Sequence, residues 1–209
     1  MLTLAINTAS LNSALALFKE GKVLQEISWS ARNNEAEKIM PEIDKMLQFN
    51  KLEYRDIEKV IVVKGPGSFT GLRVGITVGN TIAYLNNCQL NSIDTFNYFW
   101  HSMNENASTA LLVFAGSKGV YVSIPEEKVE VVPLEELNEY LNKKNIQKCF
   151  GDISESQKEQ LKITFTSLPL SFADYLMNVP SDGFTDEKII KPNYVKDANI
   201  TIGKNKLFN

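Results

Sequence analysis

Lys64-Gly65-Pro66-Gly67-Ser68-Phe69-Thr70-Gly71-Leu72-Arg73-Val74-Gly75 is the stretch on which the reading of this chain turns. It follows Val60-Ile61-Val62-Val63, a β-branched run suited to a strand buried on both faces. Gly65 and Gly67 permit positive φ and close backbone approach, and Pro66 stiffens the turn between them. Thr70 is placed to cap a helix expected from about Leu72 to Leu85. Free N–H groups at such a helix end attract anions, but the spacing rejects the familiar phosphate loops. A P-loop needs Lys after its last Gly, and Gly71 is followed by Leu72. A dinucleotide fingerprint needs Gly where Thr70 stands. A tight turn that sets a helix against a sheet is the stronger reading. Within that helix Gly71, Gly75 and Gly79 recur every four residues, and Ala83 continues the row. An interior glycine costs up to about 1 kcal/mol against alanine. Three on one face therefore imply very close packing, either on the chain's own sheet or on another subunit.

Outward from this stretch, Leu2 to Thr8, Ala14 to Phe18 and Val23 to Trp29 are apolar runs joined by short turns, one of them Glu20-Gly21-Lys22. They predict an antiparallel meander rather than a βαβ unit. Asn33 and Asn34 offer caps for a helix over 33–48, whose apolar face is Ile39, Met40, Ile43, Met46 and Leu47. Pro41 inside it predicts a kink or a fresh start. A short polar helix-like segment spans Glu53 to Glu58. Leu90 to Ile93 reads as a strand, and Asp94 or Thr95 caps an aromatic-rich helix through Met103. The second half begins near Ala107. Ala110 to Phe114, Val120 to Ile124 and Val129 to Val132 read as strands, and Pro133 as the start of a helix to Leu141. Ile146 to Phe150 reads as a strand stopped by Gly151-Asp152. Helical stretches follow at Ser154 to Leu161 and Ser171 to Met177. Both halves thus show a meander followed by helix, strand and helix, without a repeat in sequence.

Composition narrows the chemistry. With 209 residues, 44% hydrophobic and 22% charged, the chain has ample material for a packed core, which excludes global disorder. A net charge of −3 argues against a bulk electrostatic clamp for nucleic acid. Cys88 and Cys149 form no CxxC, which fits a reducing compartment, and His101 is the only histidine. No apolar run reaches the roughly 18 residues of a membrane span. The opening Met1-Leu2-Thr3-Leu4-Ala5-Ile6 reads as a strand rather than a signal peptide, so a cytoplasmic location is expected. Asp94, His101 and Glu105 would make a poor metal cluster and read better as part of a packed helix. Ser68 lacks the GxSxG elbow of a hydrolase nucleophile. The tail from Lys188 onward carries five lysines against one aspartate, and a solubilising end is the simpler reading.

The string Gly65 to Gly75, GPGSFTGLRVG, resembles the signature of the TsaB (YeaZ) family of bacterial proteins, which serve threonylcarbamoyladenosine tRNA modification. Leu4-Ala5-Ile6-Asn7-Thr8-Ala9 resembles the family's opening LAIDTS, and Glu35 to Pro41 its HSExLLP helix. Val120-Tyr121-Val122 resembles its EVY strand, and Pro192-Asn193-Tyr194-Val195-Lys196 its PxYLR end. The resemblance implies an α/β ASKHA fold, two actin-like lobes each with a mixed sheet and flanking helices, here 1–106 and 107–209 with the tail. It implies a non-catalytic scaffold without a cofactor or metal. Such a scaffold docks a TsaD-type catalytic subunit that modifies adenosine 37 of tRNAs reading ANN codons, with a TsaE-type ATPase in the complex. Contact with tRNA would be indirect, and a homodimer is possible in isolation. Family docking uses the first two N-lobe helices as half of a four-helix bundle, which places Glu35, Ile39, Phe69, Gly71, Leu72, Gly75 and Gly79 at the partner interface. The chain departs from the family at Asn7, where the family carries Asp, and at Glu35 and Ala36, where it carries His and Ser. Phe114-Ala115-Gly116 stands for DAR, and Gly119 replaces a Glu. Glu35 would place a full negative charge at the interface and calls for a basic residue facing it.

A second function class is a divergent ASKHA enzyme, a small kinase or a glycoprotease-like hydrolase. It would need phosphate loops in both lobes and a metal-holding acid. The turn Asn7-Thr8-Ala9 offers neither acid nor glycine, and Gly116-Ser117-Lys118-Gly119 is the one candidate for a second loop. Nucleotide binding by the isolated chain discriminates the two classes.

Overall fold

In the computed structural model, which describes residues 1–30, 34–101, 108–167 and 170–195, the first three apolar runs form an antiparallel meander. Its strands are β1 (Leu2–Asn7), β2 (Asn12–Lys19) and β3 (Lys22–Ser30). Every residue of β1 is buried, the polar Thr3 and Asn7 with its four apolar residues, as befits a central strand. Helix α1 (Glu35–Phe49) then carries the chain to β4 (Lys59–Val63), which lies parallel to β1 with Leu4 opposite Val60. Helix α2 (Phe69–Asn86) leads to β5 (Gln89–Ile93), parallel to β4. Parallel neighbours need such crossovers, whereas the meander needs only turns.

After α3 (Thr95–Trp100) the plan repeats. Strands β6 (Thr109–Phe114), β7 (Gly119–Ser123) and β8 (Glu130–Pro133) form a second antiparallel meander. Helix α4 (Leu137–Lys143) leads to β9 (Lys148–Asp152), and α5 (Glu155–Lys158) to β10 (Thr164–Ser167). Both strands run parallel to β6. The first sheet has the order β3-β2-β1-β4-β5 and the second β8-β7-β6-β9-β10. The rough order shared by the two halves is thus one topology used twice, the two-lobed α/β architecture that the ASKHA resemblance implies.

The final described segment crosses back. Helix α6 (Phe172–Met177) buries Phe172, Tyr175 and Leu176 in the core of the first sheet. Strand β11 (Thr185–Asp186) then pairs with β5 at that sheet's edge. Residues numbered with the second half therefore complete the first lobe. The proposed boundary between 106 and 107 lies outside the described residues, as do Asn33, Met103, Glu105, Lys196 and the rest of the lysine tail.

Several local expectations change. Helix α2 begins at Phe69, because Ser68 rather than Thr70 is the cap: its Oγ accepts from the Gly71 N–H at 3.2 Å. Helix α1 runs unbroken through Pro41, which sits on its exposed side. Pro133 ends β8, an edge strand where a missing N–H is tolerated, and α4 starts four residues later. Gly151 and Asp152 belong to β9 instead of stopping it. Gly151 lies opposite Leu112 at φ 139°, and a Cβ there would overlap the Leu112 carbonyl oxygen. No helix among the described residues is long and apolar enough to cross a membrane.

Candidate functional site

Helices α1 and α2 lie side by side on the first sheet. The buried stripe of α1 is Glu35, Ile39, Ile43, Met46 and Leu47, close to the periodicity read from sequence, while Met40 is exposed. Helix α2 buries Gly71, Leu72, Gly75, Ile76, Gly79, Ile82 and Ala83. Its glycine row faces the chain's own sheet. A Cβ on Gly71 would overlap the Thr8 carbonyl oxygen, one on Gly75 the Thr8 hydroxyl, and one on Gly79 a Val62 methyl. The row is therefore not a surface offered to another subunit; Thr8, in the turn after β1, and Val62 on β4 fill the space that its missing side chains leave.

Polar contacts hold the start of α2 in place. Thr8 Oγ1 donates to the Gly71 carbonyl at 2.7 Å, and the Ser68 N–H donates to the Ala9 carbonyl at 2.8 Å. The Asn7 side chain shapes the same turn. Its Oδ1 accepts from the Ala9 N–H at 3.0 Å, and its Nδ2 donates to Ser10 Oγ and the Tyr98 hydroxyl at 3.0 and 3.2 Å. The position where the family carries Asp is thus spent on turn geometry. Ser68, weighed as a nucleophile, serves as a cap.

The opposite side of α2 is open. At 100° per residue, a position two along from the glycine row lies about 200° round the helix. Phe69, Arg73, Thr77, Thr81 and Leu85 occupy that row and all are exposed. Tyr84 beside them is 85% exposed and Leu85 73%. On α1, Met40 and Phe49 are also exposed, Phe49 at 79%. Phe69, Tyr84 and Leu85 on α2 and Met40 and Phe49 on α1 thus put five exposed large apolar side chains on two adjacent helices, the kind of side chain that marks a protein contact surface where it forms a continuous patch. Of the seven residues expected at the interface, Phe69 alone is exposed. Ile39, Leu72, Glu35 and the three glycines are buried within the chain. Glu35 is only 2% exposed, and its Oε2 has no hydrogen-bond partner among the described residues. The basic residue expected opposite it would have to reach a carboxylate that its own chain encloses.

A second concavity, of about 400 Å³, opens between the lobes. Asn7, Ser10 and Tyr98 line it from the first lobe and Asp152 and Lys158 from the second. Asp152 Oδ2 accepts from the Leu11 N–H at 2.7 Å, tying the β1–β2 turn to β9. Burial pushes the Asp152 carboxyl up, against the opposing pull of the Leu11 N–H and the Lys158 charge. Asp94, weighed with His101 and Glu105 as a metal cluster, caps α3 through the Phe96 N–H at 2.9 Å. Among the described residues no three His, Cys, Asp or Glu side chains gather as a metal site. Sequence reasoning missed the exposed ridge, although its signal was present: it is the glycine row displaced by two positions. Thr8 carried no signal of its own as a clasp for α2.

Comparison with known proteins fits this geometry. The family described as TsaD, tRNA N6-adenosine threonylcarbamoyltransferase, matches residues 23–167, more than half of the chain. The tRNA threonylcarbamoyladenosine biosynthesis protein TsaB of Bacillus subtilis is 34% identical over 84 residues, 40% of this chain and 37% of that protein. Its Escherichia coli namesake is 32% identical over 83 residues, 40% of this chain and 36% of that protein. The chain therefore spans less than half the length of the curated relatives it matches. The solved structure of YeaZ from Pseudomonas aeruginosa superposes with a TM-score of 0.67 at 16% identity, covering 93% of this chain and 99% of that one, so the fold is shared along nearly the whole length. The chain belongs to the family described as TsaD, tRNA N6-adenosine threonylcarbamoyltransferase, in which its named relatives are the TsaB (YeaZ) proteins.

Proposed function

We propose that this protein is a non-catalytic scaffold in the formation of N6-threonylcarbamoyladenosine at position 37 of tRNAs reading ANN codons, and that it docks a TsaD-type catalytic subunit through α1 and α2. The observation that carries the reading is the open ridge Phe69, Arg73, Thr77, Thr81 and Leu85, flanked by Met40, Phe49 and Tyr84. The TsaB relatives, named as tRNA threonylcarbamoyladenosine biosynthesis proteins, support the pathway. In this reading Phe69 lies on the docking face. Glu35, Ile39, Leu72, Gly71, Gly75 and Gly79 act from beneath by fixing α1 and α2 on the sheet. The first lobe, residues 1–106 completed by the returning C-terminal segment, does the docking, and the second lobe buttresses it. A TsaE-type ATPase joins the same complex in the cytoplasm, tRNA is met through the catalytic subunit, and no cofactor is bound. A homodimer through the same ridge would be the resting form of the isolated chain.

The test is Thr77→Arg, which puts a long charged side chain at the middle of the ridge without touching the core. The variant should stay folded and lose binding to the TsaD-type subunit of its own host by at least ten-fold in calorimetry, the scale of a disrupted interface centre. Cells carrying it should lose the modified nucleoside from digested tRNA. Undiminished binding by the folded variant would put the contact elsewhere.

A further inference from the structure

The segment after β11 is strapped across the first lobe at successive points. The Glu187 N–H donates to the Leu90 carbonyl at 2.9 Å, and its carboxylate takes Lys64 Nζ at 3.1 Å and Ser92 Oγ at 3.0 Å. Asn80, in the middle of α2, grips the main chain of Ile190 from both sides. Its Oδ1 accepts from the Ile190 N–H at 2.9 Å, and its Nδ2 donates to the Ile190 carbonyl at 3.0 Å. The Asn193 N–H donates to the Lys64 carbonyl at 2.7 Å, and its side chain donates to Asp94 Oδ2 at 2.9 Å. Its carbonyl oxygen lies 2.8 Å from where a Cβ on Gly65 would be, so the strap needs glycine at that turn, where φ is 107°. Tyr194 then stacks on Phe69, the first residue of α2, at 5.1 Å between ring centroids. Both rings stay partly exposed, at 42% and 41%. The Arg73 guanidinium stands 5.5 Å from the Phe69 centroid and makes no ion pair among the described residues.

We propose that this strap is a working part of the docking surface. It clamps the first turn of α2 and supplies Tyr194 as a second aromatic anchor beside Phe69, with Arg73 left to meet a carboxylate on the partner. The inference rests on the α2 docking reading and extends it to a segment more than 100 positions away in sequence. Three features support it. The platform is continuous with the exposed ridge, since Phe69 and Arg73 are its first two members. Aromatic rings and Arg are the side chains that most often anchor protein interfaces. The charge on the ridge, Arg73, is positive and without an ion pair among the described residues, which favours an acidic partner residue.

The test is the affinity of the full-length chain for the TsaD-type subunit, with Tyr194→Ala, Tyr194→Phe and Thr77→Arg compared in calorimetry and thermal melts. Tyr194→Ala should raise the Kd about ten-fold, the loss expected on truncating an aromatic anchor. Tyr194→Phe, which keeps the stack, should bind as the parent does. If Tyr194→Ala binds normally while Thr77→Arg does not, the strap has no part in docking and the α2 reading stands. If both bind normally, the α2 reading fails and this inference fails with it. If the loss in Tyr194→Ala disappears once binding is referred to the folded fraction, Tyr194 is structural only and the inference is overturned.

Discussion

The two lobes share one strand order and differ in what their crossover helices do. In the first lobe the helices are long, 15 residues in α1 and 18 in α2. In the second their counterparts α4 and α5 have 7 and 4. Backbone approach accounts for much of the difference. The glycine row lets α2 settle close onto β1 and β4, Leu72, Ile76 and Ile82 fill the core beside it, and the outer ridge is left free. The single turn α5 has no such row. Its Gln157, 1% exposed, instead donates through Nε2 to the carbonyls of Gly116 and Gly119 at 3.0 and 3.1 Å and plugs the β6–β7 turn. One topology thus yields a lobe with a broad helical face and a lobe whose helix repairs a loop. Strand order sets the frame, and the fit between a helix and the sheet beneath it decides whether a lobe has a face to offer.

The largest break in this comparison should come from Gly75→Leu. Overpacking typically costs about 1–3 kcal/mol, and more where backbone cannot yield. The leucine would be driven into Thr8, so we expect the first lobe to lose its cooperative unfolding transition in urea followed by circular dichroism. Gly119→Ala in the second lobe is the control. Its Cβ would meet its nearest neighbour at an ordinary 3.5 Å, and the midpoint should barely move. Equal losses from the two variants would remove the distinction between the lobes. Next in size is Gln157→Leu, which removes the side-chain donor from two turn carbonyls and leaves them only their backbone partners, the Ala115 N–H on Gly119 and the Gly119 N–H on Gly116. A typical net hydrogen bond is worth about 0.5–1.5 kcal/mol, and hydrogen exchange should quicken in β6 and β7 while α2 stays protected.

The smallest effect concerns the contact between the lobes. Burial raises the Asp152 carboxyl in the folded chain above its ordinary value of 3.8. The folded state therefore holds this proton more tightly than the unfolded one. The stability it contributes is full below that ordinary value and is lost as pH climbs through the raised value. Asp152→Asn should gain on the parent as pH rises from the acid side of 3.8 to neutrality, measured as the difference in melting temperature. A constant difference across that range would mean that Leu11 and Lys158 offset burial completely.

Where local chemistry decided, the elements were legible from sequence. The meander of β1 to β3, the apolar stripe of α1, the buried run of β4 and the turn after it follow from residue type and period alone. Legibility failed where two residues of one chemistry compete. Ser68 and Thr70 can both cap α2, and only the position of Ala9, which takes the Ser68 N–H, selects the first. It failed again for elements that exist only by pairing. Strands β10 and β11, of four and two residues, have no pattern to read and are strands because β9 and β5 lie beside them. The glycine row marks the same boundary. Its spacing alone required that something approach α2 closely, because three interior glycines are costly without a return. Whether that was another subunit or the chain's own first sheet and the turn after β1 depended on contacts more than 60 residues apart, between Gly71 and Thr8. The sequence by itself determined the fold class and the close-packed helix on which the proposed docking face lies. The tertiary structure decided which side of that helix faces outward, because only packing against the sheet settles which row of side chains is left in water.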